Sequence, residues 1–138
     1  MKPYLSKAAV QLREQIDDCF PGRLRKSDGW IGDARHSTRK SDHNPDATGC
    51  VRAIDIDARL SDDKGLSAYL ADQIRSFGKS NGRISYVIHQ SRIASPLLGW
   101  RWRSYKGNPH THHIHVSFKK DQDNNSEFFN IPLLGGKA

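Results

Sequence analysis

The stretch VRAIDID, residues 51–57, sets Asp55 and Asp57 among Val51, Ala53, Ile54 and Ile56. An ionised carboxylate in an apolar strand is costly unless a cation or a full set of hydrogen bonds compensates it. Any fold open to this chain must therefore bring such compensation to the middle of a strand. Alternation along the strand puts Ile54 and Ile56 on one face, and Val51, Ala53, Asp55 and Asp57 on the other.

The imidazoles supply one answer. Five of the seven histidines fall in two places, His43 and then His110, His112, His113 and His115. In HHIHVSF, residues 112–118, strand alternation puts His113, His115 and Ser117 on one face and Ile114, Val116 and Phe118 on the core face. If this strand neighbours the Asp55 strand, His115 and Asp55 meet, with His43 supplied by a loop. A His, Asp, His set fits zinc, and three protein ligands leave a fourth position for water. Such a metal would compensate the buried carboxylate and bring the pKa of its water toward neutrality.

The remaining chain reads as a single domain over residues 1–138, with 119–138 a tail packing a few apolar residues onto the body. Leu5, Ala9, Leu12 and Ile16 mark a helix over about 6–18, which CFPG ends. From Gly22 to Gly49 the composition is that of a long loop, and loops of that length are usually functional. Ser61 is placed as the N-cap of a second helix whose buried face is Leu66, Leu70, Ile74 and Phe77. Strands are expected at 83–90 and 112–118, with GWRWRSY a further candidate. The fold class is α+β, a small antiparallel sheet with flanking helices. In GWRWRSY, Trp100 and Trp102 read as core residues with solvated Arg101 and Arg103, the other reading being a wall of a substrate cleft.

The formal charge of +7 favours anionic partners without choosing among them. Cys19 and Cys50 do not make a disulfide framework, and Cys50 reads as a plain buried thiol. The N-terminal residues lack the apolar region of a signal peptide, and no window reaches transmembrane length. The expectation is a monomer made in the cytoplasm, without membrane insertion.

SDHNPDATGCVRAIDID, followed downstream by HTHHIHV, resembles the VanY-like zinc peptidases with the Hedgehog/DD-peptidase fold, which include phage endolysins. The likeness covers about residues 29–118. It implies zinc held by His43, Asp55 and His115, with Asp57 beside them. It also implies a peptidoglycan peptidase that hydrolyses an amide of the stem peptide and acts at the bacterial cell wall after release or delivery. The expected bond is L-Ala–D-Glu, with a D-Ala-D-Ala-type peptidase the alternative. Two departures stand out. The spacer between His43 and Asp55 is long, and His112 stands where many relatives carry a Glu or Asp general base. His113 is therefore expected to handle the proton or steady the oxyanion, with His112 second and His110 able to approach. Arg39 and Arg35 are the candidates for gripping substrate. A metal-dependent nuclease and a structural zinc module, with His113 closing the shell, are the competing readings, although no specific nucleic-acid partner is expected.

Overall fold

A computed structural model describes residues 2–31 and 41–137. Strand β1 (Tyr4–Leu5) leads into helix α1 (Lys7–Cys19), then β2 (Cys50–Val51), β3 (Ala53–Asp57), helix α2 (Leu66–Asn81), β4 (Ile84–His89), β5 (Arg92–Ala94), β6 (Arg103–Ser104) and β7 (His113–Phe118). The architecture is α+β. The main sheet runs β3-β7-β4-β5-β6 with every pairing antiparallel, and β1 pairs with β2 as a separate parallel ribbon.

One face of the sheet is the core. Ile54, Ile56, Ile114 and Val116 meet Leu12 and Ile16 of α1 and Leu70 and Ile74 of α2, all essentially inaccessible. The opposite face carries Asp55, Tyr86, His113, His115 and Ser117, so the alternation holds in β7 and from Ala53 in β3, whereas the expected strand breaks at Arg52 and Val51, in β2, pairs with Leu5. Ser6 caps α1 by accepting the Ala9 amide, which satisfies one of the helix's free N–H groups. Ser61 does not cap α2. Its hydroxyl accepts the Asp63 amide, Asp63 accepts the Gly65 amide, and the helix begins only at Leu66. Short polar side chains held the backbone in successive local turns, the competition that keeps such residues out of helices.

The strand expected over 83–90 continues into a hairpin that sequence reading missed. Gln90 and Ser91 both have positive φ, 53° and 63°, and turn β4 into β5. Two residues with positive φ match a type I′ turn, yet Gln-Ser is far from the usual Asn-Gly signature. Only Arg103 and Ser104 of GWRWRSY form a strand. Trp100 is buried, as the core reading has it, whereas Trp102 is only half-buried and its indole donates to the exposed Asp72. Arg101 and Arg103 are exposed.

Residues 119–137 are built into the core. Phe129, Ile131 and Leu134 are fully buried. Gln15 of α1 donates to the carbonyls of Phe129 (2.9 Å) and Leu134 (3.0 Å) and accepts the Phe129 amide (2.8 Å). The Arg83 guanidinium lies 3.9 Å above the Phe129 ring and donates to Gln122, Asn125 and Glu127. Arg52 bridges Asp46 and Asp123, tying the loop after His43 to the same segment. Among the described residues no helix is long and apolar enough to cross a membrane.

Gly78 sits inside α2 with the Trp100 ring against it; a Cβ there would lie 2.6 Å from the ring. Alanine is favoured over glycine in a helix interior by about 1 kcal/mol. Overpacking a buried ring costs roughly 1–3 kcal/mol. Gly78→Ala is expected to lose stability in urea denaturation because the clash outweighs the propensity gain. A variant at least as stable as the parent would show that Trp100 yields freely.

Candidate metal centre

The decisive geometry is a register. β3 and β7 pair so that Asp55 faces His115 and Asp57 faces His113. Antiparallel partners carry their side chains on the same face of the sheet, so the carboxylate and both imidazoles project together. The His43 loop completes the group. Its fastening is explicit: Asp46 accepts the Thr48 and Cys50 amides and pairs with Arg52, while the Arg52 amide donates to the Asp42 carbonyl.

Three donor atoms converge. His43 Nε2 lies 3.2 Å from Asp55 Oδ2 and 3.2 Å from His115 Nδ1, and His115 Nδ1 lies 3.0 Å from Asp55 Oδ1. Ligands bonded to zinc at about 2.0–2.1 Å in tetrahedral geometry stand about 3.3 Å apart. The triad is therefore already spaced for a small divalent cation. The outer nitrogens are anchored. His43 Nδ1 lies 2.9 Å from the Trp30 carbonyl, which can only accept, so this nitrogen carries the proton. His115 Nε2 lies 2.8 Å from the Ser117 hydroxyl, which can accept its proton. Both anchors turn the inner lone pairs of the neutral rings toward one another and toward the carboxylate, the arrangement used to orient histidines on a metal. Lone pairs so placed need a cation between them.

In the metal-free protein Asp55 favours a proton on His43. Burial pulls the His43 pKa down, but the Asp55 hydrogen bond and charge outweigh it and leave the pKa raised. Burial pushes Asp55 up, yet hydrogen bonds and charge from His115 and His43 hold it well below the carboxylate range. Among the described residues Asp55 has no arginine partner; its charged partners are His43, His113 and His115. The Asp55 side chain keeps 18% exposure, so the centre is reachable from solvent.

A second grouping shares the same carboxylate. Asp55, His110 and His113 also bring donor atoms within ligating reach of one another. His113 Nε2 is 3.6 Å from Asp55 Oδ1, and the His110 ring packs edge-on against His113 and His115 at 4.7 and 5.3 Å between centroids. Burial, then repulsion from His115, pushes His110 down to about 4. Burial likewise lowers His113, against the pull of Asp55. Tyr86 lies 5.3 Å from His115, nearly parallel to its ring, and walls the site.

Other expected site residues fall elsewhere. His112 is exposed and lines a separate cavity rather than the triad, because it projects from the opposite side of the strand end to His113. Asp57 is compensated by backbone, accepting the Ser27 and Arg59 amides at 2.9 Å each, and takes no part in the ligand groups. Arg35 and Arg39 lie outside the described residues. Cys50 is a buried free thiol and Cys19 an exposed one.

His89 was invisible to sequence reading. It is buried on the core side, where its Nδ1–H reaches the carbonyls of His110 (2.8 Å) and His113 (2.9 Å), while Nε2 accepts from Ser67 (3.1 Å). One imidazole thus fixes both ends of the turn that carries His110 and His113. Its only sequence signal is a polar residue closing an apolar strand, which strand ends share generally.

No family model, curated protein or solved structure matches the chain. The donor chemistry and its geometry are what bear on function.

The two shifts fix a pH window for the metal-free protein. Asp55, with its pKa depressed, contributes stability above its ordinary 3.8 and loses it as pH falls. His43, with its pKa raised, contributes below its ordinary 6.5 and loses it as pH rises through the folded value. With chelator present, the Tm difference between the parent and Asp55→Asn is expected to be greatest between these values, 3.8 and 6.5, and to shrink on both sides. A pH-independent difference would mean that the pair is not charged in the metal-free state.

Proposed function

We propose that this protein is a zinc-dependent peptidase of the Hedgehog/DD-peptidase-like kind that hydrolyses an amide of the peptidoglycan stem peptide, with L-Ala–D-Glu as the preferred bond. The observation that carries the proposal is the convergence of His43 Nε2, Asp55 and His115 Nδ1 at 3.0–3.2 Å, with each outer imidazole nitrogen anchored. This donor set is the one the resemblance implies, in the same order along the chain.

His43, Asp55 and His115 would hold the zinc, which when bound supplies a Lewis acid for an amide carbonyl and lowers the pKa of water. The protein's own groups do the rest. Asp55 brings the negative charge that favours a cation over neutral ligands alone. Trp30 and Ser117 hold the two imidazoles in the ligating tautomer. His113 stands beside the triad, with Nε2 3.6 Å from Asp55 Oδ1 and its side chain partly exposed. In this role it takes the proton released as water adds to the carbonyl and returns it to the departing amine. The Tyr86 wall and the buried sheet beneath keep the ligands from shifting.

The same 3.6 Å separation favours a second reading, in which His113 completes a closed structural zinc shell. His113→Ala separates the two. As a proton carrier, His113 is dispensable for the metal: the variant keeps one equivalent of zinc by elemental analysis and loses about 10²–10⁴-fold in turnover. As a fourth ligand, its removal weakens zinc binding. Asp55→Ala is expected to abolish both zinc binding and release of muropeptides from purified cell walls. Mass spectrometry of the released fragments identifies the bond. A zinc-loaded parent that releases nothing from cell walls overturns the proposal, and DNA cleavage by the same sample would replace it with a nuclease.

A further inference from the structure

The triad does not exhaust Asp55. An ionised carboxylate offers about four lone-pair sites, so two ions can share it. Oδ2 lies against His43 and Oδ1 against His115, and Oδ1 also faces His113 Nε2 at 3.6 Å. That last separation is too long for a hydrogen bond. The His113 ring is therefore close to the carboxylate without being bonded to it. His110 joins them, and the three residues bring donor atoms within 4.8 Å of one another. Nothing in the proposed chemistry uses His110.

Both rings are available as ligands. His110 Nδ1 lies against the Asn108 carbonyl, which can only accept. That nitrogen carries the proton, and Nε2 keeps its lone pair. Burial lowers the pKa of both imidazoles, which leaves them neutral at pH 7. Two neutral imidazoles beside one carboxylate are ordinary zinc ligands.

The backbone holds His110 in place. Its φ of 53° lies in the left-handed region, uncommon for any residue but glycine. Its carbonyl accepts from the His89 ring (2.8 Å) and the Gln90 amide (3.3 Å), and its own amide donates to Asn108 Oδ1 (3.1 Å). The same His89 nitrogen reaches the His113 carbonyl, so the two rings are positioned from one point. Sparsely populated backbone conformations fixed by several contacts are concentrated at functional sites.

We propose that Asp55, His110 and His113 form a second zinc site, bridged to the first through the Asp55 carboxylate and filled after it. The order follows from geometry and charge. The donors of the triad stand 3.0–3.2 Å apart, whereas His113 stands 3.6 Å from Asp55. The second ion also meets a carboxylate whose charge the first already offsets. An ion on His113 Nε2 occupies the lone pair with which that ring accepts a proton. On the peptidase reading, on which this consequence alone rests, the second zinc silences the enzyme.

The test titrates the metal-stripped full chain with zinc alone. Calorimetry is expected to show two equivalents bound by the parent, the second more weakly, and one by His110→Asn. Asparagine tolerates left-handed backbone and is not among the usual zinc ligands. In the parent, the second equivalent should shift the ring-nitrogen NMR signals of His110 and His113, a measurement that needs no variant to fold. A parent that saturates at one equivalent overturns the site. So do unmoved His110 signals, or a second equivalent that survives in His110→Asn and is therefore adventitious zinc elsewhere. Release of muropeptides from cell walls reads the consequence. Between one and two equivalents it should fall about a hundredfold or more in the parent, the scale of a lost proton carrier, and stay level in His110→Asn. A level rate in the parent overturns the silencing. A parent that releases nothing at one equivalent sinks the peptidase reading, while two equivalents with shifted His110 signals still support the second site.

Discussion

The pairing of β3 with β7 in one register is the constraint on which the rest depends. Slipping β3 by one residue would send Asp55, and slipping β7 would send His115, into the apolar face beneath α1 and α2, because side chains alternate with a period of two. The register is held from the core side. Ile54 faces Val116 and Ile56 faces Ile114, all buried, so the hydrophobic pattern that packs the helices also aims the carboxylate and the imidazoles. The fold and the candidate metal centre are thus two faces of one alignment.

That alignment also explains which polar groups were legible in the sequence. Asp55 and His115 lie on strands whose alternate residues are unmistakably apolar, so their face could be assigned from spacing alone. Asp57 looked equivalent to Asp55, and yet its compensation is of the other kind, by backbone amides. Spacing cannot distinguish a carboxylate that meets imidazoles from one that meets peptide N–H groups, because the Ser27 amide that captures Asp57 comes from thirty residues away. His112 was misplaced for a related reason. It adjoins the ligand strand, but the strand begins at His113, and one step along the chain reverses the direction of the side chain.

The pieces that escaped the sequence share a physical cause. The β4–β5 hairpin uses Gln90 and Ser91 in a conformation that glycine or asparagine normally signals. α2 starts four residues later than Ser61 suggested, because two short turns stand in for a cap. His89 acts through two carbonyl oxygens, and carbonyls leave no trace in residue identity. In each case the determinant is backbone geometry set by tertiary contacts. The tail was recognised as packing on the body, but its depth was not: Phe129 and Leu134 are as buried as any residue of the sheet.

That depth bears on the order in which the fold can close. Gln15 and Phe129 exchange hydrogen bonds across 114 residues, and the core between α1 and the sheet closes only once both are present. Contacts so distant along the chain delay folding. Until Phe129 docks, Gln15 of α1 lacks its buried hydrogen-bond partners, so the layer that aims the cluster is completed by residues more than a hundred positions further along.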